Sequence, residues 1–354
     1  MFRFLLHRVL PLLFALLPCG AVFAAAATTA PATPRTTAAA EKPANEERAE
    51  QAILDALDSV VHLKISAIAE ARSAGTLGKE REGSGVVLKD SGLVLTIGYL
   101  ILEADSIEII DNQGRTVHGS VAGYDHATGF GLIRPAVPLS PKGIELGDSA
   151  SATQLDRMIF VAYGGRDSAS VATIASKRRF AGYWEYLIDD AIFTVPPRMD
   201  HSGAALISRD GRLMGIGSLL VLDAVVPNRR MPGNMFVPIN LLKPILAQLS
   251  KNVETREARR PWIGLSTQEV DGRLFVLRVQ EQGPAEKAGL KSGDIILSIH
   301  GQSVNSLEDF YKELWGLGQA GAAVPLKVLQ GSEVRDINVE SINRMDFLKA
   351  KPAL

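Results

Sequence analysis

The chain has 354 residues, 46% of them apolar and 22% charged, with a formal net charge of −1. That length predicts two domains with extensions rather than one. Near-neutral charge argues against nucleic acid as a main partner, because phosphate binding needs a concentrated cationic surface. Arg178-Arg179, Arg229-Arg230 and Arg259-Arg260 are local basic pairs expected in solvated loops.

The first residues read as an export signal, which predicts a periplasmic protein. Arg3, His7 and Arg8 give a basic start, Val9 to Leu17 an apolar run, and Val22-Phe23-Ala24 a cleavage pattern. The run is too short for a comfortable transmembrane helix, and Pro18 spoils any lipoprotein box at Cys19. Cleavage after Ala24 would remove the single cysteine, leaving no disulfide or thiol chemistry. Residues 25 to 50, rich in Ala, Thr, Pro and Glu and without aromatics, predict a disordered linker, since they have little apolar surface to offset ordering entropy.

A short helix is expected over Gln51 to Ser59, and from Val60 the pattern turns to short strands. Ser106 to Ile110, the turn Asp111-Asn112-Gln113-Gly114, and Thr116 to Val121 read as a β-hairpin. Short strands recur through Val161, Ile174, Leu187, Leu206 and Ile216, which predicts an all-β sandwich or barrel pair. Leu241 to Leu249 reads as a helix with Asn240 as N-cap. Lys251 to Arg260, mostly charged, reads as a hinge. Beyond it, a strand at Leu274 to Val279, a short helix at Ala285 to Ala288, a strand at Ile295 to Ile299 and a helix at Leu307 to Leu317 predict a compact αβ unit.

Several stretches carry a more specific resemblance. Gly83-Ser84-Gly85-Val86-Val87-Leu88 with Leu93-Val94-Leu95-Thr96, then Gly147-Asp148-Ser149, Val161-Ala162-Tyr163-Gly164, Met199 to Leu206, and Gly233 to Asn240 occur in the order found in HtrA (Deg) family proteases. The region from about 51 to 250 therefore resembles a trypsin-like domain. Pro261-Trp262-Ile263-Gly264-Leu265 and Gly283 to Gly301 are similar to the PDZ domain that follows it in that family, covering 258–342. The resemblance implies a mainly β fold: a trypsin-like double β-barrel followed by an αβ PDZ domain.

The resemblance also locates three catalytic positions and shows two of them altered. The family's histidine segment is here Thr96-Ile97-Gly98-Tyr99-Leu100-Ile101, placing Tyr99 at the histidine. Its aspartate segment is Gly129-Phe130-Gly131-Leu132-Ile133, placing Gly129 at the aspartate. The nucleophile turn keeps Ser202 within Asp200-His201-Ser202-Gly203-Ala204. A serine hydroxyl needs a base near neutrality and a carboxylate to orient that base. Tyrosine titrates near 10 and glycine offers nothing. Asp200 stands where the family has glycine, and its charge is unfavourable beside a developing oxyanion. His62, His118, His126, His201 and His300 are expected on surfaces or turns, and no close-spaced ligand pair predicts a metal or other cofactor.

For the PDZ unit the resemblance implies carboxylate capture by backbone N–H groups around Ile263, Gly264 and Leu265, with the flanking Trp262 offering apolar surface. A peptide would add as a strand there, its last side chain against Leu307, Phe310, Tyr311 and Leu314, although core packing explains those helix residues equally well. The expected protein is an exported pseudoprotease that binds unfolded proteins or C-terminal peptides, as a chaperone or adaptor in protein quality control. An active serine endopeptidase with another base behind Ser202 is the alternative. Homo-oligomers, or hetero-oligomers with an active relative, stay open. Family trimers use aromatic residues near the mature N-terminus, and none occurs here between Phe23 and the first barrel strand.

Overall fold

The computed structural model describes residues 44–227, 229–252, 255 and 259–349. The expected signal and most of the expected linker lie outside that range. The first element, α1 (Ala44–Asp58), starts seven residues ahead of the expected helix at Gln51, because the Glu- and Ala-rich sequence before it consists of good helix formers.

Twelve strands then form two closed antiparallel barrels. The first contains β1 (Val60–Ala67), β2 (Glu80–Val87), β3 (Val94–Ile97), β4 (Ala104–Ile110), β5 (Thr116–Tyr124) and β6 (Phe130–Pro135), in the order β1-β2-β3-β6-β5-β4. A one-turn helix, α2 (Ala74–Leu77), lies between β1 and β2. The hairpin expected at 106–121 is β4–β5, with Ile110 opposite Thr116. Along β1, buried Leu63 and Ile65 flank exposed Lys64, the period-two alternation of a strand with one wet face.

The second barrel contains β7 (Arg157–Val161), β8 (Ser170–Gly182), β9 (Tyr186–Val195), β10 (Ala205–Ile207), β11 (Leu213–Val221) and β12 (Gly233–Pro238), in the order β10-β11-β12-β9-β8-β7. One apolar cluster runs through both barrels: Val94, Leu95 and Ile97 of the first pack with Val161, Ile207 and Ile216 of the second. The seam between the barrels is therefore closely packed.

The helix expected at 241–249 is broken. Only a 3-10 turn at Ile239–Leu241 and α3 (Leu246–Leu249) form. Pro244 lacks an N–H, and the side chain of Asn240 is used elsewhere: it donates to Asp148 (2.6 Å) and accepts from the Ser149 amide (3.3 Å).

The third body has one sheet, β13 (Leu265–Val270), β14 (Arg273–Val279), β15 (Ile295–Ile299), β17 (Ala323–Gln330) and β18 (Glu333–Glu340) in that order, with β16 (Gln302–Ser303) paired to β15. Helices α4 (Pro284–Lys287) and α5 (Leu307–Gly316) cover it, and Ser306 caps α5 by accepting from the Asp309 amide. The C-terminal α6 (Arg344–Phe347) returns toward the first barrel, where the Lys349 amide donates to Glu103 (2.8 Å).

Candidate functional site

Ser202 sits in the turn between β9 and β10, held by its neighbours' backbone. The Ser84 amide donates to the Ser202 carbonyl (2.8 Å), Thr96 Oγ1 to the Ser84 carbonyl (2.7 Å) and the Gly203 amide to the Gly217 carbonyl (2.9 Å). Gly203 has φ +74°, and a Cβ there would come within 2.0 Å of the Ser84 carbonyl oxygen. Only glycine fits.

Tyr99 follows β3 in a 3-10 turn, Gly98–Leu100. Buried Arg81 fixes that turn by donating to the carbonyls of Tyr99 (3.1 Å) and Leu102 (2.6 Å). Tyr99 Oη lies 2.8 Å from Ser202 Oγ and 2.9 Å from the Ser218 carbonyl oxygen. Ser218 marks a register shift in the β11–β12 ladder, between Gly217 and Leu219. A carbonyl can only accept, so the single phenolic proton goes to Ser218, and Ser202 donates to the phenol oxygen. To take that proton for good, Tyr99 would have to be a phenolate. Burial pushes its pKa up to about 12, with the Ser202 hydrogen bond pulling weakly the other way. At pH 7 that leaves a phenolate fraction of about 10⁻⁵.

Gly129 has φ +80° and donates its amide to the Asp125 carbonyl (2.8 Å). A Cβ on it would stand 2.9 Å from Tyr186 Oη, which itself donates to the Thr128 carbonyl (2.6 Å). An aromatic side chain from the other barrel thus occupies the ground where a carboxylate would reach toward the base.

Two expectations about charge change. Asp200 is paired with Arg198, whose Nε donates to it (2.9 Å) and whose Nη1 donates to Ser170 Oγ (2.8 Å) and to the Ser168 carbonyl (2.9 Å). Its carboxylate is therefore largely neutralised rather than aimed at an oxyanion. His126 is buried, not on a surface: Arg344 Nη1 approaches its Nδ1 to 2.9 Å and Tyr124 Oη lies 3.3 Å away. Burial first, then Arg344 and Arg260, hold its pKa well below the usual histidine range, so it stays neutral. His201, half-buried, has its Nδ1 3.1 Å from the Arg198 carbonyl oxygen. Among the described residues, no hydrogen bond joins either histidine to Ser202.

The backbone loop before β13 does hold a carboxylate, and it belongs to Glu185 of this same chain. The amides of Gly264 (2.8 Å) and Leu265 (3.0 Å) donate to Glu185 Oε1, and that of Ile263 to Oε2 (3.3 Å). The Thr267 amide donates to the Tyr183 carbonyl (2.8 Å). From α5, Tyr311 Oη donates to the Gly182 carbonyl (2.5 Å) and accepts from the Glu185 amide (3.1 Å). The expected open groove is not what the structure contains. Trp262 is buried with its ring 4.9 Å from that of Phe347, while Phe310, Tyr311 and Leu314 lie fully inside the αβ core, with Leu307 packed partly against it.

Residues 83–216 match the trypsin-like peptidase domain family, and residues 261–340 match the PDZ domain family. Together with the relatives below, these matches settle the family. The chain belongs to the HtrA (Deg) family. It is 26% identical over 279 residues to a Haemophilus influenzae protein named "Probable periplasmic serine protease do/HhoA-like", covering 73% of this chain and 57% of that one. It is 24% identical over 278 residues to "Periplasmic serine endoprotease DegP" of Salmonella typhimurium, covering 73% of this chain and 56% of that protein. The chain thus spans little more than half the length of these relatives. The same fold occurs in the solved "HtrA-type protease AlgW with decapeptide", at 19% identity and a TM-score of 0.51 over 86% of this chain and 99% of that one. The structure of AlgW with tripeptide, also 19% identical, gives a TM-score of 0.50 over 86% and 98%.

Of the three positions that the resemblance singled out in this HtrA-family chain, Tyr99 lies against Ser202, and Gly129 lies against Tyr186. Sequence reasoning missed Glu185, Tyr186 and Ser218. A cavity of about 340 Å³ lies beside the altered site, walled by Tyr99, Tyr124, Trp184, Tyr186, Trp262 and Phe347. The β8–β9 loop and the C-terminal segment thus contribute to its walls.

Proposed function

We propose that this chain is a periplasmic HtrA-like pseudoprotease that binds unfolded or C-terminal peptide segments, in a chaperone or adaptor role. The observation that carries the reading is the hydrogen-bond order at Ser202: its only close partner among the described side chains is a phenol whose own proton is committed to Ser218. Losing a catalytic unit of this kind costs about 10⁶ in turnover in a comparable protease. The relatives' names as periplasmic proteins support the compartment, and the titles of the AlgW structures, with decapeptide and with tripeptide, support peptide as the ligand class. The alternative, an endopeptidase with another base, has no hydrogen-bonded base at Ser202 among the described residues: Asp125, buried, accepts from Thr128 and Thr255, and His126 is engaged by Arg344. Purified protein is expected to leave casein uncut, like its Ser202→Ala variant. Cleavage that Ser202→Ala abolishes would overturn the reading.

A further inference from the structure

We propose that the 182–186 turn is the resident ligand of the PDZ groove, with Glu185 standing in for a terminal carboxylate, so that a peptide with a free C-terminus binds only by displacing it. The donors decide this. A terminal carboxylate needs the convergent amides of Ile263, Gly264 and Leu265, and all three already point at Glu185. The Thr267 bond to the Tyr183 carbonyl is the main-chain contact that an added strand would make. One groove cannot hold both.

The turn is built around that side chain. Strands β8 and β9 are joined by a three-residue loop, Tyr183-Trp184-Glu185, with Gly182 opposite Tyr186. Such loops usually end in a left-handed residue, where glycine is favoured. Here that residue is Glu185, at φ +58°. A side chain in that conformation costs about 1 kcal/mol or more. Glutamate at a position suited to glycine is explained by what its carboxylate reaches. Ala181 and Leu187, on either side, pack against the PDZ core and complete the docking.

Because the turn is tethered, it acts at an effective concentration in the millimolar range, and an external peptide must compete with it. Apparent affinity falls by the fraction of molecules whose groove is free. The exchange rests on reading the groove as a peptide site; the hold of Glu185 on the nest does not.

The test uses the full chain, Glu185→Ala and Glu185→Gln, with two readouts. The first is amide hydrogen exchange at 263–265. The second is fluorescence polarisation with labelled peptides of seven randomised positions ending in Val, Leu or Phe, as free acid and as amide. Exchange at the nest should rise at least tenfold in Glu185→Ala. The acid pool should bind that variant at least tenfold more tightly than wild type, with the amide pool unchanged. Glu185→Gln, whose Nε2 can only donate where Glu185 Oε2 accepts from the Ile263 amide, should move both readouts the same way, and it decides if the alanine variant does not fold. Unchanged exchange in the folded variants, or equal acid-pool binding to wild type and variant, would overturn the proposal. Raised exchange with no acid-pool binding would overturn displacement, and the peptide reading beneath it, while leaving Glu185 as the occupant of the nest.

Discussion

A Cβ placed on Gly129 would meet Tyr186 Oη at 2.9 Å and the ring carbon Cε2 at 3.3 Å. The space beside Gly129 has been built over rather than left open. Restoring Tyr99→His together with Gly129→Asp should therefore fail to restore turnover, staying within about tenfold of a Ser202→Ala background. The same double variant should melt lower than wild type, because any side chain at φ +80° is strained and this one also crowds Tyr186. Efficient peptide hydrolysis by the double variant would mean that the old geometry is intact.

Tyr99→Phe and Ser202→Ala should differ in stability. Removing the phenol hydroxyl leaves the Ser218 carbonyl without this donor, a loss of about 1–3 kcal/mol. Removing the serine hydroxyl leaves the Tyr99 proton on Ser218 and costs about 1 kcal/mol or less. Urea unfolding of the two variants measures the difference. The reverse order would contradict the proton assignment.

The docking of Glu185 should weaken as pH rises. Burial is the largest influence and raises its pKa from 4.5 to about 7, against the lowering effects of the Leu265, Ile263 and Gly264 amides and of Arg344. Arg260 and Tyr311, from the segments packed around it, also face it. A pKa raised on docking means that the docked state binds the proton more tightly. Its contribution is therefore complete below about 4.5 and is lost as pH climbs through about 7. Protection of the 263–265 amides, corrected for intrinsic exchange, should fall about tenfold or more between pH 5.5 and 8. In Glu185→Gln that dependence should vanish. His126 works in the other direction, since its depressed pKa destabilises the fold as pH drops below its usual value, so the glutamine variant is the needed control.

Much of the architecture was legible because it is written in local chemistry. The Gly83-Ser84-Gly85 and Asp200 to Ala204 stretches fix backbone conformations that tolerate few substitutes, and Gly203 shows why, lying against the Ser84 carbonyl. Tyr99, Gly129 and Ser202 could be singled out for the same reason, because they lie in or beside such stretches. Pro244, which breaks the expected 241–249 helix, is a local signal that the apolar pattern around it masks. Glu185 was not legible: its partners lie some 80 positions away, and only folding brings the β8–β9 loop into the nest. The burial of His126 likewise depends on Arg344, 218 residues further on. Such long-range polar contacts leave no period or spacing in the sequence.

Reaction with a serine-directed fluorophosphonate tests the central claim most directly, because it needs only an activated Ser202 and no knowledge of the substrate. Full-length protein should show no labelling above its Ser202→Ala variant at pH 7 to 8, under conditions that label trypsin to completion. Stoichiometric labelling at Ser202 would contradict the assignment of its proton to a neutral phenol, and with it the account of this chain as a binding protein on a protease frame.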